Sequence, residues 1–180
     1  MPGRVSYQIL GILSLQPMSG YDIEKFVVEH LSYFWSESYG QIYPALKRMA
    51  EDGLVTVRKP AGKLDRQVYR ITPRGRTEVR RWLAEPPQTP SPRNEMVLKL
   101  FFGHYGDVSD LIRHVLGLRQ RHIEAMKQYE QVEAWLNREK AENPSLPFWL
   151  ITVDYGKRYS KFLLEWSEAT LEKLSKMENL

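Results

Sequence analysis

The chain has 180 residues, 42% of them hydrophobic and 27% charged, which is enough apolar material for a core without disulfides or metals. No apolar run approaches the roughly 20 residues of a membrane-spanning helix, and Ser6, Tyr7, Gln8, Gly11 and Ser14 interrupt the N-terminal run too often for a secretory signal. Zero cysteines exclude thiol catalysis, zinc ribbons and disulfide frameworks, and fit a cytoplasmic location. The net charge of +4 is unevenly spread. Residues 1–85 hold 13 basic and 9 acidic side chains while residues 86–180 hold 13 of each, so the whole excess lies in the first half. That distribution suits a polyanionic partner, with a solvated basic face as the plain alternative.

In chain order, Val5 to Leu15 reads as a short helix with Val5, Ile9, Ile12 and Leu13 on one side, ended by Pro17. Ser19-Gly-Tyr-Asp22 has the spacing of a capping box and opens a second helix with Ile23, Phe26, Val27 and Leu31 inward. A third helix lies between Ser38 and Asp52, with Ile42, Leu46 and Met49 facing the core and Gly53 as the stop. Pro44 requires that this helix start near Gln41 or have a loose first turn. Leu54, Val55 and Val57 then alternate as a strand, Pro60 to Asp65 turn, and Val68, Tyr69 and Ile71 return. Thr72-Pro73 opens a fourth helix, with Val79, Trp82 and Leu83 expected to pack back.

Four prolines between Glu85 and Arg93 mark a linker. Beyond it, Glu95 to Phe102 is a short helix ended by Gly103 and Gly106. Leu111, Val115, Leu118, His122, Ala125, Tyr129, Val132 and Leu136 recur at steps of four and three, a coiled-coil seam. Asn143-Pro-Ser-Leu-Pro147 breaks it, and a last helix carries Phe148, Ile151, Tyr155, Tyr159, Phe162, Trp166, Ala169 and Leu174 as its apolar stripe. These two helices should pair antiparallel, and Ile112, Ile123 and Met126 beside the seam call for a second subunit. The expected fold is mainly α (α+β). A winged helix-turn-helix spans residues 1–85, a proline-rich linker 86–93, and a helical dimerisation and effector domain 94–180.

No catalytic or phosphate-loop motif is present, and no cofactor is implied. His114 and His122 stand two turns apart, too far for two ligands of one ion, so no metal site is expected. The third helix carries the chemistry. Ser38, Tyr39, Gln41, Tyr43, Lys47 and Arg48 offer hydroxyls, an amide and two cations on the face away from the core. Hydroxyls and amides bond phosphates or base edges, and cations favour phosphate or guanine. Lys63 at the hairpin tip, with Arg58, Lys59 and Arg66 at its base, could reach the neighbouring groove; the plain alternative is charge guarding an edge strand. The partner read from this order of elements is double-stranded DNA.

Ser19-Gly-Tyr-Asp-Ile23, Phe34-Trp-Ser36, Gln41-Ile-Tyr-Pro-Ala-Leu46, Gly53-Leu-Val55, Tyr69-Arg-Ile-Thr-Pro-Arg-Gly75 and Asn94-Glu-Met-Val-Leu-Lys99 resemble the PadR family of bacterial transcriptional regulators. The resemblance covers the whole chain, including the C-terminal helices of the long members with a virulence-activator-like α domain. It departs at Met49, where leucine is common, and at Val68-Tyr69, where a tyrosine pair is frequent. It implies a homodimer that reads an inverted-repeat operator and represses neighbouring genes, with release by a small aromatic molecule in several members. By position, Ser38, Tyr39, Gln41, Tyr43 and Lys47 would be recognition-helix contacts and Lys63 the wing contact.

The aromatics suggest where an effector would sit. Phe34, Trp35, Phe101, Trp149 and Tyr155, with Phe102, Tyr159 and Trp166 nearby in sequence, would line a cleft for a planar phenolic ligand, and Arg93 could orient its carboxylate. The alternative is that these rings fill the core and the dimer interface. Two other functional readings stay open on sequence alone: an activator of the same family, and a winged-helix protein-interaction module that does not read DNA. A palindromic preference and steep salt dependence separate the last from the rest.

Overall fold

A computed structural model describes residues 4–31, 39–58, 66–88, 93–138 and 142–178. The chain divides into two compact units, Met1–Thr89 and Pro90–Leu180.

In the first unit, helix α1 (Arg4–Leu15) lies at the centre of the core, with Ile9, Leu10 and Leu13 almost wholly inaccessible. A two-residue strand β1 (Met18–Ser19) follows and leads into α2 (Gly20–Phe26), which continues as a π-helical turn over Val27–Leu31. The expected capping box is complete. Ser19 Oγ accepts from the Asp22 amide at 3.2 Å, and the Ser19 amide donates back to the Asp22 carboxylate at 3.2 Å. Donation from the Ser19 hydroxyl holds that carboxyl below its ordinary value against the opposing effect of burial.

A 3-10 turn (Tyr39–Gln41) leads into α3 (Ile42–Glu51), which buries Ile42, Ala45, Leu46 and Met49. Gln41 is the N-cap, so Pro44 falls in the first turn, where its missing N–H would have had no helical acceptor. Gly53 closes the helix at φ +68°, a conformation that costs other residues a clash at Cβ. Strand β2 (Val55–Arg58) pairs antiparallel with β3 (Val68–Ile71), and β1 adds to the far side of β3 to give the order β1-β3-β2. The third strand was not visible in the sequence.

Thr72 Oγ1 donates to the Gly53 carbonyl at 2.8 Å and accepts from the Gly75 amide at 3.0 Å, joining the end of α3 to the start of α4 (Pro73–Ala84). Tyr7 and Trp82 stack at 5.1 Å, and the Tyr7 hydroxyl bridges Glu78 and Arg81, so α4 is held to α1. Leu83 corrects an expectation: it is 69% exposed rather than packed back.

The second unit comprises α5 (Glu95–Phe101), a 3-10 turn (Gly103–Tyr105), and the long helices α6 (Val108–Leu136) and α7 (Leu146–Glu178). The α6 seam turns inward, with Leu111, Val115, Tyr129 and Leu136 buried. Pairing is antiparallel: Arg119 meets Glu168, His122 meets Ser160, and Lys157 meets Glu133. Of the stripe expected on α7, Leu174 turns fully inward, against Leu111 and Val115, while most of the large side chains do not. Val153, Gly156, Ser160, Ser167 and Leu174 are the buried positions, while Phe148, Ile151, Tyr155, Tyr159 and Phe162 are 50–69% exposed. Small residues win the inner face because they let the helices approach closely. A methyl group at Gly156 would collide with the Tyr129 ring, which occupies that space.

Candidate nucleic-acid interface

Helix α3 presents two chemically distinct faces. Its buried side is aliphatic, and its outer side exposes Gln41, Tyr43, Lys47 and Arg48 with no acid until Glu51. The Gln41 side chain makes no cap hydrogen bond, which leaves its amide available to an external partner. Neither Lys47 nor Arg48 has an ion-pair partner among the described residues. The result is an exposed helix face with two cations that have no ion-pair partner among the described residues, and a major groove admits an α-helix.

Neighbouring elements steady this ridge. Tyr43, half-exposed, lies over Gly20: a Cβ there would come within 2.5 Å of Tyr43 Cε1, so the glycine makes room for the ring. Tyr69 is buried beside it, and burial, with a smaller effect of Tyr43, raises the Tyr69 phenol above its ordinary value. Antiparallel pairing of Ser19 with Val68 brings the start of α2 next to the outer end of β3. There the Arg66 guanidinium lies 4.8 Å from the Tyr21 ring centroid. Arg66 is conspicuous in the sequence as a cation at the wing base, whereas Tyr21 joins it only through the pairing of strand β1.

Gln41, Tyr43, Lys47 and Arg48 thus share one exposed surface, and Tyr39 lies on the turn that leads into it. Ser38 and Lys63 lie outside the described residues, as do Phe34 and Trp35. Of the remaining effector candidates, Arg93 is exposed, and Phe101 lines an open cavity of about 530 Å³ with His104, Trp166, Lys173 and Leu174. Trp149 stacks on Trp135 at 6.4 Å and Tyr155 on Tyr159 at 6.2 Å. Leu111, beside Phe101, and Trp135 are 24 residues apart on one helix, about 36 Å at 1.5 Å per residue. Within the chain, Phe101 and Trp149 therefore do not share a site. Trp166 and Lys173, which do accompany Phe101, are spaced by seven residues on one face of α7, a signal masked in sequence by the many other aromatics. Among the described residues no cluster suited to a metal ion occurs, and no helix is long and apolar enough to cross a membrane.

Three helices, an antiparallel wing and an uncompensated cationic third helix define a winged helix-turn-helix DNA-binding protein with a helical second domain. Residues 9–81 match the model of the "Transcriptional regulator PadR-like family", and residues 92–175 match "Virulence activator alpha C-term". The "Negative transcriptional regulator PadR" of Bacillus subtilis (strain 168) is 30% identical over 179 residues, covering 96% of this chain and 98% of that protein. Two solved structures of Bacillus subtilis PadR share the fold. The complex with operator DNA has a TM-score of 0.78 at 24% identity, covering 94% of this chain and 98% of that one. The complex with p-coumaric acid has a TM-score of 0.75 at 25% identity, covering 97% and 98%. The chain belongs to the PadR-like family. It is a DNA-binding transcriptional regulator, not an enzyme.

Proposed function

We propose that the protein is a cytoplasmic homodimeric repressor that binds a palindromic operator and is released by a small planar aromatic acid. The observation that carries the reading is the exposed face of α3 with Gln41, Tyr43, Lys47 and Arg48; on this reading those four are DNA contacts, and Ser38, Tyr39 and Lys63 join them by their places in the sequence. The exposed stripe of α7 supports a second copy, and a two-fold dimer presents two recognition helices about 34 Å apart or a multiple of it. Repression follows the relative named a negative regulator. The match to the virulence-activator C-terminal model favours activation as the second reading.

DNA binding by anisotropy tests the interface. Lys47→Ala should weaken all duplexes and flatten the salt slope by about one unit. Gln41→Ala should instead relax base preference, at a cost of about 1–3 kcal/mol. Parent-like binding by both variants would remove the recognition-helix assignment.

The effector class follows the relative's complex with p-coumaric acid. Phe101, together with Trp166 and the Lys173 ammonium, supplies rings and a cation for a planar carboxylate. Trp149 and Tyr155 belong to the other end of the helical pair. Titration with p-coumaric acid should change tryptophan fluorescence and operator affinity together; quenching without loss of DNA binding would rule out a switch, because a ligand shifts an equilibrium only by its differential affinity.

A further inference from the structure

We propose that Arg66, laid against the ring of Tyr21, grips the operator backbone beside the recognition helix, with Tyr21 as its positioning residue. The inference rests on α3 being the recognition helix, and it adds α2 and the base of the wing to the DNA surface. Geometry joins the three elements. Met18 pairs with Tyr69 and Ser19 with Val68, so the antiparallel course carries Gly20 and Tyr21 past Gln67 and Arg66. Gly20 is also where the Tyr43 ring of α3 sits. Arg66 thus rests on Tyr21, the neighbour in sequence of the glycine against which Tyr43 of α3 packs.

The chemistry of the pair points outward. Arg66 is exposed and has no ion pair among the described residues. Asp22 is the acid that feels its charge, but the Asp22 carboxylate is held by the Ser19 hydroxyl at 2.6 Å and by the Ser19 amide. The guanidinium is 4.8 Å from the centroid of a ring that is itself 53% exposed. A guanidinium resting on an aromatic face keeps its N–H edge free, and that edge matches two phosphate oxygens at once. Stacking also limits the rotamers the side chain would otherwise lose on binding. An arginine that served only solubility would need no such shelf.

The test uses the full-length protein, a duplex selected from a random library by the parent, and a scrambled duplex of equal length. Arg66→Gln should weaken both about fivefold at physiological salt and take about 0.9 from the slope of log affinity against log salt. Tyr21→Ala should reproduce most of that loss, Tyr21→Phe should bind as the parent, and the double variant Tyr21→Ala, Arg66→Gln should be no weaker than Arg66→Gln alone. If Lys47→Ala weakens binding but Arg66→Gln does not, the proposal is overturned while the recognition helix stands. Parent-like binding by Lys47→Ala, Gln41→Ala and Arg66→Gln alike would overturn the two together. A Tyr21→Phe defect as large as that of Tyr21→Ala would show that the hydroxyl acts and not the ring, and would overturn the shelf. Should Tyr21→Ala lower the melting temperature, Tyr21→Phe and Arg66→Gln still decide.

Discussion

Gly156 shows how one residue's meaning depends on its neighbours. A glycine inside an exposed helix costs about 1 kcal/mol relative to alanine, so Gly→Ala there is normally stabilising. Here the Tyr129 ring fills the space a Cβ would occupy. Gly156→Ala should therefore lower stability by about 1–3 kcal/mol, the usual cost of overpacking, seen as an earlier thermal transition. An unchanged or higher melting point would mean that the two helices are not in this close contact. The opposite case is Pro44, which looks disruptive from a periodicity template but sits at the third residue of α3, where no intrahelical bond is lost. Ser19 and Thr72 needed no tertiary information, since each caps a helix through an amide three residues ahead.

At the scale of elements, the α6–α7 pair carries a part-buried polar contact. His122 Nδ1 lies 3.2 Å from Ser160 Oγ, with the Tyr159 ring edge-on at 6.0 Å. Burial, and then the charge of Arg121, push His122 below its ordinary 6.5. A base whose folded pKa is depressed binds more protons when unfolded, so stability rises with pH across the interval between the two values. The His122 contribution is complete above about 6.5, falls as pH drops below that value, and levels off under the folded pKa. Chemical denaturation between pH 8 and pH 5 should show this loss, and His122→Asn should reduce it. Equal pH dependence in both proteins would assign the effect elsewhere, His30 being the other histidine that burial depresses.

For the whole molecule, α7 poses the question of what covers it. Phe148, Ile151, Tyr155, Tyr159 and Phe162 are exposed at steps of three and four along α7, and an apolar stripe of that kind marks an interaction face. Phe162→Glu places a charge in that stripe without touching the buried positions Ser160 or Ser167. The variant should sediment as a monomer while keeping the helical circular dichroism of the parent. A dimer that persists would locate the interface on another face.

Element order, helix caps and the two faces of α3 can be read from the chain because each rests on contacts between near neighbours in sequence. Ile42, Leu46 and Met49 face inward in the folded helix as their spacing implies, which leaves Gln41, Tyr43 and Lys47 outside. Strand β1 escaped notice, since two residues have no measurable period and Met18–Ser19 become a strand only by pairing with β3. The inner face of α7 escaped for another reason. Apolar residues occupy most of its circumference, so periodicity fits two stripes equally well. Sequence favours the large aromatic stripe, whereas close approach to α6 selects Gly156, Ser160 and Ser167. Helix length also separates Phe101 from Trp149, which their positions in the sequence suggest as one lining. Local rules determined which elements form; the fit of side-chain volume between elements decided which faces meet.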